Sequence, residues 1–321
     1  MATLKKTASV EENSSLIYNK KIKRITLDSS ETWNWFIHDN VTYELRKIES
    51  KNGGNSYIFI LKDTNGIEPE RILKICKYWK RKGIPNLRTN LKNLSEPIKR
   101  WFRFQLEIKA LYKTKENNLS HIINIFGDGH VLINAYYYSY YIMEKAQSNL
   151  TEKIFDKGYD IDGKLDLSIQ IIRGLTDLHN LNIYHRDIKP DNILFVNNEW
   201  KIADLGLCDY REGFSGIDEK GDKIGPFGFL SPEAANKAFT EEKLSGEFDC
   251  KINEKSDIFQ LGKVLWFIFQ GNVPMGQLKE EDSKYNNLEI YTVIEKMLQY
   301  DKDRRANFEF VNTEFEKISR N

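Results

Sequence analysis

The sequence predicts an α+β protein of two lobes, the first mostly strands and the second mostly helices. Up to about residue 146, apolar residues alternate at period two in several segments, interrupted by one stretch at helical spacing. Beyond it, apolar residues recur every three or four positions. Length agrees, since 321 residues can bury one large core or two modest ones. A β-rich part followed by an α-rich part suits a layered α+β architecture, and the expected place for a ligand is a cleft between the lobes.

Residues 1–42 read as an N-terminal extension. Residues 1–16 are polar and expected to be mobile. Residues 17–42 mix basic and apolar residues and include Trp33, Trp35 and Phe36; two tryptophans need burial, so this part is expected to brace the first lobe rather than to autoinhibit or bind a partner. The first lobe spans 43–146. Within it "YELRKIES" and "YIFILKD" flank "KNGGN" as a hairpin with a glycine turn, and "ERILKICKY" reads as a third strand. Ser95-Glu96-Pro97 marks a helix start, with a cap hydroxyl and a proline in the first turn, and "IKRWFRFQLEIKALYK" continues the helix. "HIINIFGDGHVLIN" and "AYYYSYYIME" are two further strands. The second lobe, 147–321, shows helical periodicity in "KLDLSIQIIRGLTDLHNL", "KSDIFQLGKVLWFIFQG", "NLEIYTVIEKMLQY" and "NFEFVNTEFEKIS".

A net charge of +1 gives no sign of a nucleic-acid partner. Locally, residues 71–103 hold eleven Lys and Arg against one acid, Glu96, which makes either a solvated basic insert or a docking patch for an acidic partner. Cys76, Cys208 and Cys250 are odd in number and never paired as CxxC, which fits a reducing cytoplasm and neither a disulfide framework nor a zinc site. The stretch "MATLKKTASVEENSS" has no apolar core of a signal peptide, and "VLWFIF" is far too short to span a bilayer.

The chemistry concentrates in "YHRDIKPDNILF", residues 184–195. His185, Arg186, Asp187, Lys189, Asp191 and Asn192 are crowded together between apolar residues that anchor both ends in a core. Twelve residues after Asn192 comes Asp204-Leu205-Gly206, with "WKIAD" as a strand between. The spacing sets Asp187, Asn192 and Asp204 at the ends of adjacent strands of a small hairpin. Such hard oxygen ligands suit Mg²⁺, which keeps several waters and accepts few protein ligands.

At these residues the chain resembles the eukaryotic-type serine/threonine protein kinase family. "HRDIKPDNIL" matches the family's catalytic loop nearly letter for letter. Asp204-Leu205-Gly206 stands for Asp-Phe-Gly, Ser231-Pro232-Glu233 for Ala-Pro-Glu, and "KSDIFQLG" for the helix whose acid is Asp257. "YDKDRRANF" resembles the segment whose arginine, Arg305, pairs with Glu233. The likeness runs from about Tyr43 to about Phe315. It implies a bilobal kinase fold, ATP and Mg²⁺ as cofactors, and a protein substrate phosphorylated on Ser or Thr. Asp187 would be the base that accepts the substrate hydroxyl proton, Lys189 would steady the γ-phosphoryl group, and Asn192 and Asp204 would hold the metal. Lys189 is also the mark of serine/threonine specificity.

On the nucleotide side the resemblance offers Lys74 and Lys77 for the lysine that meets the α/β-phosphates. Lys74 is preferred because Ile75 and Cys76 continue the strand after it; Lys77 is the fallback. Glu107 would be the partner on the following helix. Of the glycine-rich loop only Gly53 is kept, with Gly54 beside it and small Ser56 following; these still let backbone N–H groups approach phosphates. Met143 would line the back of the adenine pocket, and Glu144 and Ala146 would offer it backbone hydrogen bonds. Leu111, His185 and Leu205 match the family's stacked spine.

Residues 204–233 depart from the pattern. Pro226 stands where the family has the threonine that links base and lysine, and proline supplies neither hydroxyl nor N–H. Arg186 is the family's sensor of activation-segment phosphate. Either Ser215 is phosphorylated, or Asp218, Glu219 and Asp222 supply the charge unmodified. The alternatives to an active kinase are a pseudokinase scaffold, favoured by the eroded glycine loop and Pro226, and a kinase-fold enzyme modifying a small molecule.

Overall fold

The computed structural model describes residues 13–48, 55–80, 95–154, 159–211, 217–240, 248–283 and 287–320. The chain divides into two compact units, Met1–Leu87 with Ile125–Lys145, and Arg88–Asn124 with Ala146–Asn321.

The first unit is made of strands: β1 (Ile17–Asn19), β2 (Arg24–Thr26), β3 (Trp35–His38), β4 (Val41–Lys47), β5 (Ser56–Asp63), β6 (Arg71–Lys80), β7 (Ile125–Ile133) and β8 (Tyr136–Glu144). Six form one antiparallel sheet in the order β3-β4-β5-β6-β8-β7, while β1 and β2 pair as a separate ribbon. Two-residue hairpin turns of type I′ need positive φ at both central positions, which Gly, Asn and Asp adopt most readily. Asp39-Asn40 and Asn134-Ala135 supply it, at φ 48° and 64°, then 48° and 66°.

One face of this sheet carries Leu45, Phe59, Leu61, Leu73, Ile75, Val131, Tyr140 and Ile142, and on it pack Leu16, Ile25 and Phe36 of the extension. Phe36 stands edge-on to Tyr140 with ring centroids 4.9 Å apart. The extension therefore braces the sheet, but not through its tryptophans. Trp33, which precedes β3, is 45% exposed, whereas Leu16, Ile25 and Phe36 are buried; within β3 the alternation turns Phe36 inward and leaves Trp35 half-buried on the other face.

The second unit holds α1 (Glu96–Glu116), β9 (Ser148–Asn149), α2 (Leu150–Lys153), α3 (Ile161–Asn180), β10 (Ile183–Tyr184), β11 (Ile193–Val196), β12 (Glu199–Ile202), β13 (Asp209–Tyr210), α4 (Pro232–Phe239), α5 (Glu254–Gln270), α6 (Leu288–Met297) and α7 (Phe308–Ile318). Helix α1, which the expected 43–146 lobe includes, packs in this unit against the turn Leu205–Leu207. Its start also differs from expectation: Ser95 is the N-cap residue, yet its hydroxyl makes no capping bond. Pro97 has no N–H to offer, and the next N–H, of Ile98, goes to the Ser95 carbonyl at 2.9 Å.

Helix α5 is buried from Ser256 to Gln270, which explains its unbroken apolar run. An Asn253–Ser256 capping box starts it, and Gly271, at φ 79°, ends it. Helices α3 and α6 pack on it, and β12-β11-β9 form a small sheet beside α3.

Candidate active site

The loop 185–192 hangs from α5. Asp257, in its first turn, is fully buried and accepts the N–H groups of His185 at 2.7 Å and Arg186 at 2.8 Å, with His179 Nε2 also at 2.8 Å. Burial pushes its carboxyl up, but the His179 bond and the neighbouring backbone donors outweigh that and hold it below the usual carboxylate range. A deprotonated acceptor therefore anchors the loop.

Asp187 follows, buried at 8% exposure. Asn192 Nδ2 donates to its Oδ2 at 2.9 Å and to its carbonyl at 2.8 Å, and Lys189 Nζ donates to Oδ2 at 3.2 Å. The register of β11 and β12, turned by Asn197-Asn198 at φ 49° and 67°, brings Asp204 beside this pair. The Ala203 N–H donates to the Asn192 carbonyl at 2.8 Å. Asp204 itself is left-handed, at φ 62°. Burial raises the Asp187 carboxyl above the ordinary aspartate range and the Asp204 charge adds to the push; Lys189 and His185 oppose it without reversing it.

Asp187, Lys189 and Asn192 are thus bonded together, with Asp204 beside them. Glu107 joins them: a methyl group on Gly206 would lie 3.2 Å from Asp204 Oδ1 and 3.6 Å from Glu107 Oε2. Carboxylates gathered in this way favour a cation or a proton among them. With the Asn192 nitrogen committed to Asp187, Oδ1 is the end left to accept, so Asn192 and Asp204 present hard oxygens of the kind Mg²⁺ takes. Among the described residues no group of three or more His, Cys, Asp or Glu could hold a metal alone. A cation carried on phosphates needs only one or two protein oxygens.

In the first unit, Ser56 pairs with Cys76, Lys74 with Tyr141, and Met143 with Ile72 across β5, β6 and β8. Residues directly opposite share a face, so Ser56, Lys74, Tyr141 and Met143 lie on the side away from the apolar core. Lys74 Nζ is 5.5 Å from the Tyr141 ring. Lys77 Nζ is 5.5 Å from the ring of Tyr57, a member of that core. Glu144 ends β8 opposite Arg71, and Ala146 follows in the second unit. Gly53, Gly54 and Ser215 lie outside the described residues, as does 81–94 of the basic segment. Elsewhere in that segment Arg71 pairs with Glu68, Arg100 with Glu96, Lys99 with Glu219 and Arg103 with Asp218.

Arg186 donates to the Leu207 carbonyl at 2.7 Å, Asp209 at 3.1 Å and Asp218 at 2.6 Å. Asp218 also accepts from Arg103 of α1 at 2.9 Å, and Glu219 lies 2.6 Å from buried Lys99. Sequence reasoning missed Lys99, Arg103 and Asp209. The available signal was complementarity, "KRWFR" being basic where "DEKGD" is acidic.

A family model described as the protein kinase domain matches residues 88–319, more than half of the chain. The chain is similar to the serine/threonine-protein kinase VPS15 of Saccharomyces cerevisiae, at 25% identity over 78% of this chain and 18% of the relative. A probable serine/threonine-protein kinase of Clostridium acetobutylicum is 28% identical over 54% of this chain and 24% of its own length. A G-type lectin S-receptor-like serine/threonine-protein kinase of Arabidopsis thaliana is 30% identical over 57% of this chain and 20% of its own. The chain therefore spans a quarter or less of the length of these relatives.

Proposed function

Since the chain belongs to the protein kinase domain family, we propose that it transfers the γ-phosphoryl group of ATP to serine or threonine hydroxyls of a protein substrate. The observation that carries this is the buried Asp187 carboxylate, bonded to Lys189 and Asn192 and next to Asp204. Asp187 accepts the proton of the attacking hydroxyl, and its raised proton affinity suits a base better than an ordinary surface aspartate would. Lys189 stays within reach of the same oxygen and faces the transferring group as a fixed positive charge. Asn192 Oδ1 and Asp204 would hold Mg²⁺, which would offset the charge on the nucleotide phosphates. Little covalent chemistry falls to the protein, so rate comes from positioning and from charges set in advance.

Lys74 is proposed as the lysine for the α/β-phosphates and Glu107 as the acid that the family pattern assigns to it; the place of Lys74 on the Ser56–Met143 face supports it over Lys77. Gly53, Gly54 and Ser56 are the residues proposed for the phosphates, since small residues let a backbone approach closely. Met143 would line the adenine pocket, and Glu144 and Ala146 would offer the base backbone hydrogen bonds.

The acids 218, 219 and 222 replace activating phosphate, so the enzyme is active as made. The ion pairs of Asp218 with Arg186 and Arg103 support this. Complete loss of activity after phosphatase treatment would refute it.

The deciding test incubates the chain with γ-labelled ATP, Mg²⁺ and a generic protein, beside Asp187→Asn and Asp204→Ala. Label on protein that both substitutions abolish is the expected result. Nucleotide binding without transfer would mark a scaffold, and label on a small molecule a different acceptor.

A further inference from the structure

Helix α5 is apolar along most of its length, yet Gln260 lies near its middle at 1% exposure. A buried amide carries donors and an acceptor that are costly to leave unpaired. Gln260 places both ends on the catalytic loop. Its Oε1 accepts the Ile188 N–H at 2.8 Å, and its Nε2 donates to the Arg186 carbonyl at 3.1 Å. Those two groups flank Asp187. One turn earlier on the same helix face, Asp257 accepts the N–H groups of His185 and Arg186. Helix α5 thus holds the backbone from residue 185 to residue 188.

That grip opposes strain. Arg186 is left-handed, at φ 66°, a state that a residue with a side chain keeps only where its surroundings enforce it. Gly225 packs on the same point. Its φ is +111°, and a Cβ there would lie 2.9 Å from Gln260 Nε2 and 3.1 Å from the Arg186 carbonyl. The next residue, Pro226, has no hydroxyl or N–H to contribute, and Lys189 meets Asp187 directly.

We propose that Gln260 is a positioning residue for Asp187, fixing the peptide groups on either side of the base and so the direction of its carboxylate. The inference rests on the phosphoryl-transfer reading of Asp187. An amide that acted only as packing would be replaceable by an apolar chain of equal length; one that aims a base would not be.

The test measures kcat and KM for ATP with Mg²⁺ and a generic protein substrate on the full chain. Wild type is set beside Gln260→Met, Gln260→Glu and Leu261→Ala, with melting temperatures for all. Gln260→Met keeps length and loses both bonds; Gln260→Glu keeps the Ile188 bond and sets an acceptor against the Arg186 carbonyl. Leu261 is buried on the same helix and reports what lost packing alone does. The expected result is a fall in kcat of about 10²-fold for the folded Gln260 variants, the scale of a reacting group misplaced by about 1 Å, with KM for ATP unchanged. Leu261→Ala should lower the melting temperature and leave kcat near wild type. A folded Gln260 variant with wild-type kcat overturns the proposal, as does an equal fall in kcat for Leu261→Ala. If wild type itself shows no transfer that depends on Asp187, the functional reading fails first and this inference falls with it.

Discussion

Asp187 ties the stability of the fold to pH. Its carboxyl is raised by burial and by Asp204, so the folded state binds its proton more tightly than the unfolded chain does. The stability this group contributes is fully present below the unfolded value, about 3.9 for aspartate, and is lost as pH rises through the higher folded value. Asp187→Asn removes the charge and should level that loss. Denaturant titrations at several pH values are expected to show it at least as stable as wild type near neutrality. Its turnover should fall by about 10²–10⁴-fold, the usual worth of a positioned acid or base. A variant both active and destabilised would contradict the role.

Among the elements, one ion pair ties α4 to the segment between α6 and α7. Arg305 meets Glu233 at 2.8 and 3.2 Å and spends its other donors on the carbonyls of Gln299, Lys255 and Tyr300. Both partners are buried, so Arg305→Ala strands a carboxylate and should cost about 3–5 kcal/mol in chemical denaturation. Burial pushes the Glu233 carboxyl up, but Arg305 and Ser256 bring it below its usual range. Its contribution is present above the unfolded value and is lost as pH falls through the lower folded one. The clamp on α1 obeys the same logic. Asp218 is held low against burial by Arg186 and Arg103. Asp218→Asn should loosen the segment 217–222 from α1, seen as faster amide exchange there, and lower turnover. Unchanged exchange and turnover would show that Asp218 does not substitute for phosphate.

At the scale of the molecule, the extension is part of the first unit's core rather than an appendage. Phe36 is fully buried against the sheet, and Phe36→Ala is expected to cost about 3–5 kcal/mol. Deleting residues 1–40 should lower the melting temperature while turnover, assayed well below it, stays close to wild type. Turnover that rises on deletion would instead mark an autoinhibitory segment. No helix among the described residues is long and apolar enough to cross a membrane.

Most of the long elements and the loop 184–195 were legible in the sequence because both are local; the short strands β1, β2 and β3 and helix α4 were not. Strand alternation and helical spacing need only a few neighbours, and Asp187, Asn192 and Asp204 lie within one loop and hairpin. Three-dimensional packing alone decided which of many like charges meet, as when Arg103 reaches Asp218 and Lys99 reaches Glu219. It also decided that Phe36 rather than Trp33 is buried, that α1 packs with the second unit, and that Gln260 turns its amide to residues 186 and 188. The reason is common to all of these. An isolated charge, amide or ring has no preferred partner along the chain, and acquires one only when burial removes water as the alternative.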